Sequence, residues 1–113
     1  MTRAEAVAAS RRKLAEEMSE AEWQGWVVTT ARRFGWLAYH PYDSRRSEAG
    51  FPDLVLVRDD MLVFAELKRE RGNLTGAQQA WLAALAGPAG LATNVQVHVW
   101  RPSQLDEVLE LLR

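Results

Sequence analysis

Three charged side chains stand where a divalent cation and a phosphodiester could meet: Asp53, directly behind Pro52, and Glu66 with Lys68 two residues on. In an extended segment alternate side chains share a face, so Leu62, Phe64, Glu66 and Lys68 project one way and Val63, Ala65 and Leu67 the other. The first face begins apolar and ends charged, an ordering that packing alone does not require. Asp53 opens the preceding apolar run, residues 54–57, and Asp59-Asp60 between the two runs marks a hairpin turn, so Asp53 falls beside Glu66. Two carboxylates offer hard oxygen ligands suited to Mg²⁺ or Mn²⁺, with water, a backbone carbonyl and substrate phosphate completing the octahedron, and Lys68 sits next to the bound water. The plainer readings are an exposed ion pair at a strand end for Glu66 and Lys68, and a turn carboxylate after proline for Asp53.

Tyr39, His40, Arg45, Arg46, Arg69 and Arg71 flank these residues in the loops on either side. Arginine beside a carboxylate pair suits phosphate contacts, which position a nucleic acid without reading its sequence; solvated surface charge is the alternative for any one of them. A net charge of −1 does not advertise a phosphate-wrapping protein, but residues 23–101 hold nine Lys/Arg against seven Asp/Glu while both ends are acidic. A cation on the central carboxylates would leave the middle of the chain clearly positive.

The absence of cysteine excludes disulfides, thiolate zinc sites and cysteine nucleophiles, so any metal is held by oxygen or imidazole. Neither histidine has a partner at zinc spacing, and His98 reads as a strand-face residue. The N-terminus carries no apolar stretch of signal-peptide or membrane-span length, which sets the expectation of a cytoplasmic protein without a membrane partner.

The elements that must position these residues follow from local signals. Residues 1–18 carry only a thin apolar stripe, Val7, Leu14 and Met18, and read as a marginal helix or an arm free to dock on a partner subunit. Ser19 and Glu22 have capping-box spacing, and Trp23, Val27, Ala31 and Phe34 then recur at helical intervals down to Gly35. Short strands are predicted over 36–39, 54–57 and 62–68. Thr75 caps a helix through Trp81, Leu82 and Leu85 that is expected to stop before Gly87-Pro88. Val95, Val97 and Val99 alternate as in a half-buried strand, and Ser103 with Asp106 is expected to cap a last helix bearing Leu105, Val108, Leu109 and Leu112. The domain proper, residues 19–113, is therefore α/β with a mixed sheet in the order α-β-β-β-α-β-α. Trp23, Trp26 and Trp36 could alternatively form the interface of an interaction module, but two of the three fit the core pattern.

Pro52-Asp53 followed by Glu66-Leu67-Lys68 resembles the signature of the PD-(D/E)XK nuclease superfamily. Glu20 with Gln24, Gly35-Trp36, the stretch GFPDLVLVR, FAELK, Leu74-Thr75 and Gln78 narrow the resemblance to the VRR-NUC domain, over roughly residues 19–112. The resemblance implies a restriction-endonuclease-like core, a mixed β-sheet flanked by helices, in which Asp53 and Glu66 hold Mg²⁺ or Mn²⁺ and Lys68 orients water or offsets phosphate charge. It also implies a further metal carboxylate from the first helix and a glutamine from the helix after the hairpin. Helical phase chooses Glu20 over Glu22, because Trp23, Gln24 and Val27 follow it at three, four and seven residues. The same test places Gln78 on the stripe of Trp81, Leu82 and Leu85, where a polar group needs a partner; a core glutamine satisfied by backbone is the alternative. The implied activity is hydrolysis of DNA without an organic cofactor, by a homodimer selective for branched DNA in the manner of a Holliday-junction resolvase. A flap, nicking or duplex nuclease, or a DNA-binding accessory protein without catalysis, are the rivals.

Overall fold

A computed structural model of the chain describes residues 1–41 and 48–113. Helix α2, Glu20–Arg33, starts on the capping box read from the sequence: the Ser19 hydroxyl accepts the Glu22 N–H at 3.1 Å and Glu22 Oε1 accepts the Ser19 N–H at 3.0 Å. Trp23, Val27, Thr30 and Ala31 bury one face of it. The helix closes at Phe34, and Gly35, at φ +86°, turns the chain in the left-handed region that glycine enters without strain. Trp36 then drops into the core and donates its indole N–H to the Leu112 carbonyl at 2.9 Å.

Strands β1 (Leu37–Tyr39), β2 (Leu54–Arg58), β3 (Met61–Leu67) and β4 (Val95–Trp100) form one sheet in the order β1-β2-β3-β4. The first three pair antiparallel and β4 lies parallel to β3, so the sheet is mixed as expected. Asp59-Asp60 makes the β2–β3 turn, with Asp59 at φ +55°, a conformation its short polar side chain tolerates. Leu54, Leu56, Val63, Ala65, Leu67 and Trp100 face α2 and the last helix α4, Leu105–Leu112, in a single core. Phe64 projects to the opposite face and meets Phe51, which in turn packs edge-on against Trp81 of α3, Gly76–Leu91.

Two boundaries depart from expectation. α3 continues through Gly87 and Pro88 to Leu91. A parallel partner for β3 obliges the chain to return the strand's length, about 23 Å for seven residues. Sixteen helical residues cover about 24 Å, whereas a helix halted at residue 86 would cover only about 17 Å. Pro88 withholds one helical donor, but the carbonyl it would have served belongs to exposed Ala84, which water can reach. Nor does Ser103 cap the last helix with Asp106. Pro102 starts a 3-10 turn, Pro102–Gln104, one step earlier, and the Gln104 amide oxygen accepts the Arg101 N–H at 2.9 Å. The Ser103 N–H goes to Glu70 Oε2 at 2.9 Å, and Asp106 pairs with Arg11 at 3.0 Å.

That last pair ties down α1, Arg3–Glu16, which buries Ala15 and lies against the 3-10 turn. Of the described residues, no helix is long and apolar enough to cross a membrane.

Arg58 joins the helix ends at the sheet's other margin. Its guanidinium donates to the carbonyls of Phe34 (3.0 Å), Leu112 (2.8 Å) and Arg113 (3.2 Å) and lies 4.5 Å above the Trp36 ring. These are oxygens that helix C-termini leave unpaired, and a cation suits them. Arg58→Met is expected to lower unfolding stability by about 2 kcal/mol in urea titrations, through lost charge-assisted bonds rather than any change at Asp53 or Glu66.

Candidate active site

Strand β3 carries Glu66 at its C-terminal end, and the residue is 1% exposed. Asp53 precedes β2 by one residue, one step beyond the Leu54–Ala65 register pair, and so lies opposite Glu66. Its Oδ2 accepts the Leu67 N–H at 3.0 Å, which extends the strand pairing through a side chain. Gln78, in the first turn of α3, donates its amide to Glu66 Oε1 at 3.1 Å. The other Glu66 oxygen, Oε2, is buried without a partner among the described residues.

A buried carboxyl beside another carboxyl resists ionisation. Burial pushes the Glu66 pKa up, and the neighbouring Asp53 carboxylate pushes it further, to about 9, against the weaker pull of Lys68. The pair is short of positive charge. An orphan buried oxygen and a second carboxylate are what a Mg²⁺ or Mn²⁺ ion needs from the protein when water and phosphate fill its remaining positions. The donor set fits such an ion.

Lys68 follows, with its side chain 12% exposed and its Nζ 3.9 Å from Glu20 Oε1. Its main-chain N–H bonds to the Trp100 carbonyl at 3.1 Å, the same oxygen that accepts the buried Trp23 indole N–H at 2.9 Å. Trp23 lies one turn after Glu20, so this shared carbonyl ties the helix carrying Glu20 to the strand end carrying Lys68. Among the described residues no three His, Asp or Glu side chains converge closely enough to hold a metal. The structure therefore draws Asp53, Glu66 and Gln78 into one group and sets Glu20 with Lys68 beside it.

His40 is exposed, and its Nδ1 lies 2.8 Å from the Asp53 carbonyl oxygen; since that oxygen only accepts, Nδ1 carries the proton. Arg69 and Arg71 are exposed on the loop leaving β3 and line a cleft of about 580 Å³ with Lys13 and Glu20. Arg45 and Arg46 lie outside the described residues. Glu22 serves the capping box, and its bonds to Ser19 hold its carboxyl below the usual range. His98 is a half-buried strand residue bonded to Gln96 at 2.7 Å and stacked on Trp100, and burial lowers its pKa.

Gln78 does more than the sequence reading asked of it. Its amide oxygen accepts the Thr75 N–H at 2.8 Å and its own N–H goes to Thr75 Oγ1 at 3.1 Å, a capping box that leaves the amide nitrogen aimed at Glu66. Thr75-x-x-Gln78 has the same spacing as Ser19-x-x-Glu22 and carried that signal. Gly50 was not singled out, yet a Cβ there would fall 2.4 Å from the Ala77 main-chain carbon, at φ +85°. This contact seats the loop leading to Asp53 on the helix that presents Gln78, beside a cavity of about 300 Å³ lined by both residues.

A mixed four-stranded sheet with helices on both faces, and an acidic pair and a lysine at the ends of its central hairpin, define a restriction-endonuclease-like nuclease core. The chain matches the VRR-NUC domain over residues 12–101 and belongs to that family, within the PD-(D/E)XK nuclease superfamily. It is thus a nuclease-type domain with DNA as its substrate class. Neither the curated proteins nor the solved structures contain a match.

Two outcomes follow. Glu66 keeps its proton to about 9 when folded against 4.5 when exposed, so the folded chain binds that proton more tightly. Its stabilising effect is complete below 4.5 and is lost as pH rises toward 9. Melting of the EDTA-treated protein is expected to fall across that window, and Glu66→Gln to flatten the fall. Gly50→Ala, forced onto α3 in a strained backbone, is expected to destabilise by about 2 to 4 kcal/mol by urea titration, while Gly72→Ala costs less than about 1.

Proposed function

We propose that the protein is a metal-dependent DNA endonuclease, selective for branched DNA and acting as a homodimer. The observation that carries the reading is the buried Glu66 beside the half-buried Asp53, with Glu66 Oε2 unpartnered among the described residues, next to Lys68. Asp53 and Glu66 would hold Mg²⁺ or Mn²⁺, with Glu20 on the neighbouring helix as the further carboxylate. Such a cation, when bound, supplies Lewis acidity to the phosphate and lowers the pKa of water.

The chain's own residues do the rest. Gln78 fixes the rotamer of Glu66, so the carboxylate presents its free oxygen in one direction. Lys68, largely withdrawn from water, places an ammonium where negative charge grows on the phosphate as water adds and the ester oxygen departs. Glu20 steadies that ammonium from one side. Arg69, Arg71 and His40 contact the flanking phosphates and set the strand's register without reading bases. A chain of 113 residues has little surface for base-edge readout, which favours recognition of DNA shape, and a two-fold dimer would set two sites against two strands of a junction.

The test is cleavage of a four-way junction, a flap, a linear duplex and a single strand by wild type, Asp53→Ala and Lys68→Ala, with Mg²⁺, Mn²⁺ or EDTA. Paired symmetrical nicks in the junction are expected, abolished by EDTA and reduced at least about 10³-fold by either substitution with DNA binding kept. Sedimentation of the protein alone checks the dimer. Cutting of flaps or plain duplex instead would discard the junction assignment, and binding without any metal-dependent cutting would make the protein an accessory DNA binder.

A further inference from the structure

Directly after Lys68 the chain enters residues 69–72, a short polar loop whose Arg69 and Arg71 are exposed. The loop carries no apolar side chain, yet it is held by the residue that follows β4. The Arg101 guanidinium shares the hydrogens of one nitrogen among three carbonyls, those of Arg69 (3.0 Å), Glu70 (3.2 Å) and Gly72 (2.7 Å). Between the arginines, the Glu70 carboxylate turns back to take the Ser103 N–H at 2.9 Å. Within the loop the Gly72 N–H closes on the Arg69 carbonyl at 3.0 Å. Arg101 is itself steadied, since its N–H is held by Gln104 at 2.9 Å and the preceding Trp100 carbonyl accepts the Lys68 N–H at 3.1 Å.

Arg101 therefore has its charge turned onto the loop's carbonyls rather than outward. Carbonyl oxygens crowded together repel one another, and a fixed cation is what lets them converge. A loop set in this way loses little conformational freedom when it meets a ligand, so its exposed side chains bind more tightly than those of a loose loop.

We propose that Arg101 is a positioning residue for substrate: it presets the 69–72 loop so that Arg69 and Arg71 face the DNA backbone beside Lys68, an inference that rests on the nuclease reading above. Arg101 acts through the two arginines and touches no phosphate itself.

A double-mutant cycle on binding tests it, using labelled duplex and four-way junction DNA in EDTA so that nothing is cut. Arg101→Met is expected to weaken binding about tenfold and Arg69→Ala with Arg71→Ala about thirtyfold, while the triple variant binds no worse than that pair. A triple variant weaker by a further tenfold or so would mean that Arg101 acts independently of the two arginines, and would overturn the proposal, as would Arg101→Met binding like wild type. Trypsin gives a second reading, because it cuts after Arg69 and Arg71. Faster cutting there in Arg101→Met at an unchanged melting temperature supports the clasp, and unchanged cutting overturns it. If Arg101→Met does not fold, Arg101→Lys carries the same cycle. Wild type that binds no DNA would overturn both this inference and the nuclease reading, whereas a coupled cycle in a protein that never cleaves would sink the nuclease reading alone.

Discussion

Burial of the Glu66 carboxyl at the end of a central strand is the constraint on which the rest of the molecule turns. An ionised carboxylate out of water is unfavourable by several kcal/mol unless charge or hydrogen bonds offset it, and among the described residues its neighbours are one amide, a largely buried ammonium and a second acid. Every neighbouring element is placed in answer to that. β2 begins where it does because Asp53 closes the strand pairing through Leu67, and α3 begins where it does because its first turn carries Gln78 to Glu66. Each makes the acid's surroundings more determined while leaving one oxygen unsatisfied among the described residues.

The chain meets its loose ends with arginine in two places. Arg58 gathers the carbonyls at the ends of α2 and α4, and Arg101 gathers those of the loop after β3. A planar guanidinium with several donors can face oxygens from different segments at once, which a lysine's single ammonium does less well. One arginine thereby closes the side of the sheet remote from the acidic pair, and the other closes the side adjoining it. In a domain this small, with a core built on three tryptophans and a handful of aliphatic residues, such polar clasps supplement what apolar burial supplies.

Much of the fold was legible because its signals are local. Ser19-x-x-Glu22, the alternation of Val63, Ala65 and Leu67, the Asp59-Asp60 turn and the helical spacing of Trp23, Val27 and Ala31 all act within a few residues. The chain shows them in the expected places. The extent of α3 was not legible: Pro88 is a stop signal on its own terms, and only the length of the strand that the crossover must retrace overrides it. The start of α4 misled for a related reason, since Glu70 and Arg11, remote in sequence, take the two groups that a local cap would have used.

For the site the division is similar. By itself the sequence determined which residue types could do chemistry and on which strand faces they fall, because side-chain alternation and the hairpin place Asp53 opposite Glu66 without help from elsewhere. Only the tertiary structure decided that Glu66 is wholly buried with one oxygen unpaired among the described residues, that Glu20 pairs with Lys68, and that Arg101 turns inward. Burial and long-range pairing depend on what other segments pack against a residue, and a helix phase or strand alternation says which way a side chain points but not what it will find there.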